Sequence, residues 1–373
     1  MSKLEITPVT TKSQMRAFIT LPWRLYKNDP NWVPPLKRDF TKLMDTNRHP
    51  FWHFSQRELY LAWRNGRPVG RVAAIIDGNY NKHNNEKVGA FGFFECENDP
   101  EAAAGLFEVA EKWVKERDMK WFRGPLNPSI NHEIGMLIDG FGSPPTLGFT
   151  HNPEYYPALV EGSGFGKDKD VLAYWFDRGN SMPDWFKNVG KKLYDKGEFT
   201  IRMGDVKNLE AEVLLVNDIY NECWADNWGA VPMTNEEIID VAHDMKPFLD
   251  PDLLFFICHE GEPIGVCLSL PDVNRLLMKL NGWLNPLVLF RHLVIKPYIV
   301  GLRGYILGIK SKYRLLGAPL VGFYHLMMVL DRKKQYEYVE LGWQLEDNTA
   351  INSLIEDLGG KVSRRFRVYG KTV

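Results

Sequence analysis

Three basic residues and two small ones occupy a single short turn in the second half of the chain. Lys310, Lys312 and Arg314 follow an apolar run typical of a buried strand, and Gly317 and Ala318 begin an apolar segment typical of a helix. Exposed backbone N–H groups and the positive end of a helix dipole attract anions, and the cations neutralise them. The turn is therefore suited to bind a pyrophosphate, although an ordinary solvated turn has the same composition.

Polar and aromatic side chains are concentrated in a long loop region of the first half. A loop of about 20 residues in a compact domain is more often functional than idle. These side chains are able to orient a substrate, or they cap backbone groups inside a packed loop. They are Asn131, His132, Glu133, Asn152, Tyr155 and Tyr156.

Neither metal chemistry nor cysteine chemistry is indicated. His132-Glu133 lacks the second His four residues later that a zinc protease motif requires. The cysteines form no CxxC pair and no Cys/His spacing suited to zinc, which predicts reduced, buried thiols and no metal. Lys3 and Glu5 interrupt the apolar run that a signal peptide needs, so we expect a cytoplasmic protein. The cysteines are Cys96, Cys223, Cys258 and Cys267.

The chain contains an internal repeat. Glu58 to Asp77 aligns without a gap with Leu253 to Asp272, and both copies place a polar-Gly turn between two apolar runs, which predicts a hairpin. Gly89 to Phe94 aligns with Gly304 to Ile309 after the second copy has gained about 20 residues. Because several ordered blocks repeat, we infer a duplication that gives two similar lobes.

Each lobe is predicted to be an α/β (α+β) unit with a central mixed β-sheet flanked by helices. The elements follow the order strand, helix, helix, three strands, helix, strand, helix, strand. Ala102 to Asp118, for example, carries apolar residues at the spacing of one helical face. The predicted lobes are residues 1–180 and 181–373, joined near Asn180.

The basic turn and its surroundings resemble the GNAT superfamily of acyl-CoA N-acyltransferases. In that family a Q/R-x-x-G-x-G/A loop after the fourth strand cradles the CoA pyrophosphate, and Arg314 to Pro319 occupy that loop here. An Asn follows the family's fifth strand, where this chain has Asn348. The resemblance implies two tandem GNAT-like lobes that use acetyl-CoA or a longer acyl-CoA. The cofactor-binding residues it implies are Ile309, Lys310, Lys312, Arg314, Leu315, Leu316, Gly317, Ala318 and Asn348.

Two residues depart from the GNAT pattern. Pro319 replaces a small residue of the loop and removes one N–H, although Pro is suited to the first turn of a helix. Ile355 stands where many members place a Tyr that protonates the CoA thiolate. These departures leave open a noncatalytic ligand-binding protein that retains the GNAT fold.

The first lobe resembles the degenerate half of a duplicated GNAT protein, as in the Fem-type aminoacyl transferases and the myristoyl transferases. Its equivalent of the basic turn carries four acids, which we expect to repel phosphates. The resemblance thus implies that the second lobe binds CoA and the first lobe binds the acceptor, in a groove between lobes. The four acids are Glu95, Glu97, Asp99 and Glu101.

Direct acyl transfer from acyl-CoA to a small-molecule acceptor, which we expect to be an amine, is the predicted reaction. A carboxylate would deprotonate the acceptor, and strand N–H groups would polarise the thioester carbonyl. The first-lobe loop residues Asn131, His132, Asn152 and Tyr155 are predicted to bind the acceptor. The catalytic candidates are Glu340, Glu346, Glu133 and Tyr156.

The distribution of charge along the chain indicates which classes of partner the protein binds. The 46 Lys and Arg balance 47 Asp and Glu, so the global positive charge of a nonspecific nucleic-acid binder is absent, which disfavours an aminoacyl transferase using charged tRNA. From Val273 through Leu330, however, there is no acid. Within this window the basic and apolar insertion 276–303 predicts peripheral contact with an anionic membrane, cover for a long acyl chain, or helices packed on the sheet.

Overall fold

The structure is a computed structural model that describes residues 3–179, 182–288 and 299–373. The predicted joint at Asn180 and residues 289–298 of the predicted insertion lie outside the described residues. The chain divides into two compact units. Unit 1 comprises Met1–Val171, Leu276–Phe290 and Arg364–Val373, and unit 2 comprises Leu172–Arg275 and Arg291–Ser363.

Unit 1 follows the element order predicted for a lobe, with small additions. Its elements are β1 (Leu4–Pro8), α1 (Lys12–Leu25), α2 (Lys37–Leu43), β2 (Ser55–Arg64), β3 (Arg67–Asp77), α3 (Gly78–Asn84), β4 (Val88–Cys96), α4 (Pro100–Lys115), β5 (Trp121–Gly124), β6 (Leu126–Asn127), β7 (Glu133–Ile134), β8 (Met136–Asp139) and α5 (Tyr156–Gly162).

The rest of the chain, most of which belongs to unit 2, repeats this order. Its elements are β9 (Gly166–Asp177), α6 (Asp184–Lys196), β10 (Phe199–Met203), α7 (Leu209–Trp224), α8 (Asn235–Met245), β11 (Leu254–His259), β12 (Glu262–Pro271), α9 (Asn274–Leu280), β13 (Gly301–Ile309), α10 (Ser311–Arg314), α11 (Ala318–Arg332), β14 (Tyr338–Leu345), α12 (Thr349–Asp357) and β15 (Lys361–Thr372).

Each unit is built on a mixed sheet. In unit 1 the strand order is β1-β2-β3-β4-β5-β15, with β4 and β5 parallel and β5 and β15 antiparallel. In unit 2 the order is β9-β14-β13-β12-β11-β10, with β13 and β14 parallel. Most of β15, the last strand of the chain, therefore belongs to unit 1, and the second part of β9 belongs to unit 2. The predicted fold class, two α/β lobes with helix-flanked mixed sheets, is confirmed.

The two predicted hairpins close by the same kind of turn. Asn65 and Gly66, between β2 and β3, have φ values of 51° and 73°. Glu260 and Gly261, between β11 and β12, have φ values of 52° and 85°. Two successive residues with positive φ match the right-handed twist of the paired strands, which explains why the turn glycine recurs in both copies.

A long helix packs on the sheet of unit 1. Helix α4, predicted from its apolar spacing, begins where the Asp99 side chain accepts the Ala102 N–H. Its buried residues Leu106, Phe107 and Ala110 belong to the hydrophobic core of that unit. Within the described residues, no helix combines the length and apolar character needed to cross a bilayer.

Candidate functional site

Strands β13 and β14 of unit 2 part from each other midway along their length. They pair in parallel register from Gly301–Tyr338 to Gly304–Leu341, and β13 then continues to Ile309 without β14 as its partner. A shift in the β12–β13 register makes Tyr305 an extra, bulged residue at the point of parting. A strand edge that leaves its neighbour presents backbone N–H and C=O groups to a ligand. We call this opening the unit 2 gap.

The predicted anion-binding turn lies directly after β13. Gly317 precedes helix α11 with a φ of 93°, a left-handed conformation that favours glycine. A Cβ at this position would also lie 2.8 Å from the Leu193 Cδ1 atom. The helix begins at Ala318, followed by Pro319 in its first turn, where the missing N–H is least costly. The unit 2 gap and a helix N-terminus are therefore neighbours along the chain.

Two of the three predicted cations of this turn bind protein groups. The Lys310 ammonium lies 2.7 Å from a Glu222 carboxylate oxygen, and this hydrogen bond raises the Lys310 pKa. Arg314 donates from Nε to the Ile309 carbonyl at 2.8 Å and from Nη2 to the Cys223 carbonyl at 2.7 Å. Arg314 thus holds the turn against the ends of β13 and α7, a positioning role that the sequence did not indicate.

The third cation of the turn lies at the surface. The Lys312 side chain is exposed, and its ammonium lies 5.2 Å from the centre of the Tyr313 ring. The next two predicted contacts are also exposed, Leu315 at 97% and Leu316 at 53%. Among the described cations of the turn, Lys312 has the side chain best placed to meet an anion from solvent.

The predicted Asn and the expected Tyr position lie around helix α12. The Asn348 carbonyl accepts the Asn352 N–H at 3.1 Å at the start of the helix. Ile355 is 1% exposed and packs in a core cluster with Leu172 and Tyr174. The residue that replaces the family's Tyr is therefore a core residue of unit 2.

The two candidate bases of unit 2 differ in access to solvent. Glu340 is fully buried on β14, where its carboxylate accepts a hydrogen bond from the Ser363 hydroxyl at 2.7 Å. It pairs in register with Arg303, whose pKa falls to about 10 because burial disfavours its charge more than Glu340 and Asp272 favour it. Glu346, just beyond β14, is half-buried, and its carbonyl accepts from Asn352 at 3.4 Å.

In unit 1 the equivalent of the unit 2 gap is filled by the chain itself. The parallel pairing of β4 and β5 ends at Ala90–Arg123, and β6 then lies against β4. The Phe93 N–H donates to the Asn127 side-chain oxygen at 2.6 Å. A Cβ at Gly92 would lie only 2.0 Å from the Leu126 carbonyl oxygen. A ligand chain has no room beside this strand.

The acidic turn of unit 1 is neutralised by arginines. Arg64 donates to Asp99 at 2.6 Å, and Arg24 and Arg67 form ion pairs with Glu97. The acids therefore contribute less repulsion toward phosphates than their number in the sequence suggests. The filled space beside β4 is the stronger obstacle to a cofactor in this unit.

Tyr156, a predicted catalytic residue, belongs to a buried polar network. Its hydroxyl donates to Glu95 Oε2 at 2.7 Å, and Tyr26 donates to the same oxygen at 2.8 Å. The Arg71 guanidinium lies 3.6 Å from the other Glu95 oxygen. Burial raises the pKa of Tyr156 and that of Glu95. Neither Tyr26 nor Arg71 could be identified from the sequence, because neither lies near Glu95 along the chain.

Two of the predicted acceptor residues bind backbone groups. Asn152 is 6% exposed and bridges both the N–H and the carbonyl of Leu137, at 2.7 Å and 3.1 Å. The Tyr155 hydroxyl donates to the Cys96 carbonyl at 2.8 Å. These contacts hold the loop on the sheet, as the alternative interpretation of a packed loop expects.

The segment Asn131–Glu133 combines a neutral imidazole with an accessible carboxylate. The pKa of His132 falls to about 3, first because it is desolvated and second because His49 lies nearby. Its Nδ1 atom lies 2.8 Å from the Ser129 hydroxyl, while Asn131 is half-buried. The Glu133 side chain reaches solvent, yet desolvation by the surrounding atoms raises its pKa. An Asn127 amide donates to it at 3.2 Å.

A solved structure shares the fold of the chain. The chain matches a tandem GNAT protein from the clavulanic acid biosynthesis pathway with a TM-score of 0.56 and 12% identity, covering 99% of this chain and 98% of that one. No protein-family model matches the chain. Two mixed sheets in tandem, one with strands that part beside a helix N-terminus, give the chain the fold of a tandem GNAT protein.

Two proteins with related sequences identify the family of the chain. The chain is 33% identical over 377 residues to the bacterial ceramide synthase of Caulobacter vibrioides, covering 99% of this chain and 98% of that protein. It is 29% identical over 374 residues to Protein YghO of Escherichia coli K12, covering 97% and 94%. The chain belongs to the family of the bacterial ceramide synthase.

Proposed function

We propose that the protein is an N-acyltransferase that moves a fatty acyl group from acyl-CoA to the amine of a sphingoid base and so forms a ceramide. The proposed reaction class, acyl transfer from CoA, rests on the unit 2 gap and the helix N-terminus beside it. Together they are suited to bind a thioester whose carrier bears phosphates. The substrate class rests on the 33% identity, across nearly the whole chain, to a protein named ceramide synthase.

The open edge of β13 suits the extended, amide-containing arm of CoA. Peptide-like amides of a ligand pair with unpaired strand groups as a neighbouring strand would. Backbone N–H groups near the Tyr305 bulge would polarise the thioester carbonyl. Lys312 and the N-terminus of α11 would attract the pyrophosphate, and Arg314 would keep the turn in place. In this proposal Arg314 is a positioning residue.

Acyl transfer requires the acceptor nitrogen to lose its extra proton before it attacks. The nitrogen then forms a bond to the thioester carbon and gives up a second proton, the C–S bond breaks, and the departing CoA thiolate takes up that proton. A carboxylate near the acceptor, acting directly or through a water molecule, would take up the first proton. We propose Glu346 as this base, because it is half-buried just beyond β14, in the same unit as the gap.

The experiment is acyl transfer by the purified protein, followed by mass spectrometry of the products. We expect a ceramide from a sphingoid base and a long-chain acyl-CoA, and much less product from Lys312→Glu. Lys207→Glu is the matched control, because it reverses an exposed charge elsewhere in unit 2. Amide formation only with other amines would contradict the acceptor, and the absence of CoA binding would contradict the reaction class.

A noncatalytic ligand-binding protein is the second candidate. Ile355 favours it, because a core residue replaces the Tyr that protonates the leaving thiolate in many GNAT proteins. Tight binding of acyl-CoA without turnover on any amine would support this candidate.

A further inference from the structure

A basic and apolar groove lies on the surface of unit 1, formed by helices α1 and α2 and by the segment that follows α9. It has a volume of about 380 Å³. We call it the α1–Trp283 groove. Its lining residues are Lys12, Met15, Arg16, Ile19, Thr20, Lys37, Thr41 and Trp283.

The segment after α9 is anchored firmly to α1 and α2. The Trp23 indole donates to the Asn281 side-chain oxygen at 3.0 Å, and the Lys37 N–H donates to the Gly282 carbonyl at 3.0 Å. Gly282 has a φ of 83°, and a Cβ there would lie 2.5 Å from the Trp23 ring. The Lys37 ammonium lies 4.5 Å from the centres of the Trp23 and Trp283 rings. Trp283 is therefore held in a defined position.

The anchored segment presents large apolar side chains to solvent. Trp283 is 65% exposed, Leu284 is 42% exposed and Leu287 is 74% exposed. Exposed apolar residues close together in sequence and edged by cations are typical of surfaces that enter a bilayer interface. Tryptophan in particular is enriched at the level of lipid headgroups.

The charges around the groove are of one sign. Lys12, Arg16 and Lys37 line it, and no acid does so among the described residues. Helix α1 contains no Asp or Glu, and the only acid of α2, Asp39, binds its neighbour Arg38 at 2.9 Å. Desolvation and then the charge of Arg16 lower the Lys37 pKa, which is the result expected where cations are crowded. Anionic groups are the complement of this surface.

We propose that unit 1 docks on anionic lipid bilayers through the α1–Trp283 groove, with Trp283, Leu284 and Leu287 entering the interface and Lys12, Arg16 and Lys37 contacting lipid phosphates. Both features are needed. The cations attract the protein to a negatively charged surface, and the apolar side chains lose contact with water there. This proposal does not rest on the proposed acyl transfer.

The experiment is cosedimentation of the full chain with vesicles, in the absence of acyl-CoA and acceptor. One set contains about 30% phosphatidylglycerol in phosphatidylcholine, and the other contains phosphatidylcholine alone. We expect binding to the anionic set at about 0.05 M NaCl and release at about 0.5 M, because salt screens exposed charges. Equal binding to both sets, or to neither, would overturn the proposal.

Matched variants distinguish the contribution of this groove to vesicle binding from the contribution of the overall charge and hydrophobicity of the protein. Lys12→Glu with Arg16→Glu should weaken binding at least about tenfold, since each basic residue near such a surface contributes about fivefold. The control Lys82→Glu with Lys115→Glu makes the same change in net charge on α3 and α4 and should bind within about twofold of wild type. Equal losses in both pairs would overturn the assignment of the groove.

A second pair of variants tests the apolar part. Trp283→Ser with Leu287→Ser should also weaken binding about tenfold, whereas Trp185→Ser with Val189→Ser, exposed on α6, should not. If thermal melting shows that the first pair is unfolded, Leu287→Ser alone replaces it. Unchanged vesicle binding with an altered mass by light scattering would instead assign the groove to a second copy of the chain. If the wild-type protein binds the vesicles but transfers no acyl group, only the proposed function is contradicted.

Discussion

Reversing the charge of Lys312 is predicted to weaken CoA binding about tenfold while leaving the fold intact. Two unit charges about 6 Å apart in water interact by about 0.7 kcal/mol. Lys312→Glu changes one charge by two units opposite a pyrophosphate with about two negative charges, or about 2.8 kcal/mol. Screening by salt roughly halves this value to about 1.4 kcal/mol, which corresponds to a tenfold loss of affinity. The side chain is exposed, so the melting temperature should not move.

Isothermal titration calorimetry with CoA measures this loss directly. Lys207→Glu controls for the change in net charge, and a titration at high salt should reduce the difference between Lys312→Glu and wild type. Unchanged affinity in Lys312→Glu would refute the assignment of the turn to the pyrophosphate. An equal loss in Lys207→Glu would show that only the overall charge of the protein matters.

Three further predictions concern residues that the structure places in different settings. Arg314→Gln should weaken CoA binding and also lower the melting temperature, because it removes charged hydrogen bonds to two carbonyls that hold the turn. Glu340→Ala should cost about 2–4 kcal/mol of unfolding free energy, since it removes the carboxylate that accepts from Ser363 and one of the two carboxylates that favour the charge of Arg303. Loss of turnover without loss of stability would instead make Glu340 the base. Glu346→Gln should lower turnover and leave CoA affinity nearly intact, because it removes the proposed base without changing the basic turn.

The fold could be predicted from the sequence where local patterns repeat. The hairpins at Gly66 and Gly261 need successive residues with positive φ. A glycine therefore occurs at the same position of the turn in both copies. Helix α4 has the spacing of one buried face. The pairing of β15 with β5 and that of β9 with β14 were not predictable, because a strand's own pattern does not specify which neighbour it pairs with.

The site could be predicted only in part. A strand followed by a basic turn and a helix is local, and the sequence identified it. The role of Arg314 depends on the Cys223 carbonyl, 91 residues away along the chain. The network around Glu95 likewise joins Tyr26 and Tyr156 at separations of 69 and 61 residues. Such contacts depend on tertiary packing, which composition and spacing do not reveal.

The filled space in unit 1 leads to a prediction of stoichiometry. A duplicated fold starts with two equivalent strand openings, and the arginines that neutralise the acidic turn weaken the charge argument against a second cofactor. Steric exclusion remains, because Leu126 and Asn127 occupy the space beside β4 and contact Gly92 and Phe93. We therefore expect one CoA per chain.

Calorimetric titration of wild type with CoA should accordingly give a stoichiometry near one. Lys312→Glu should weaken that single event without uncovering another. Asn127→Ala, which deletes the hydrogen-bond acceptor of Phe93 but keeps the Leu126 backbone in place, should lower stability by about 1–3 kcal/mol and still bind one CoA. A second binding event in wild type would show that unit 1 opens enough to admit a cofactor, and steric exclusion by β6 would then be wrong.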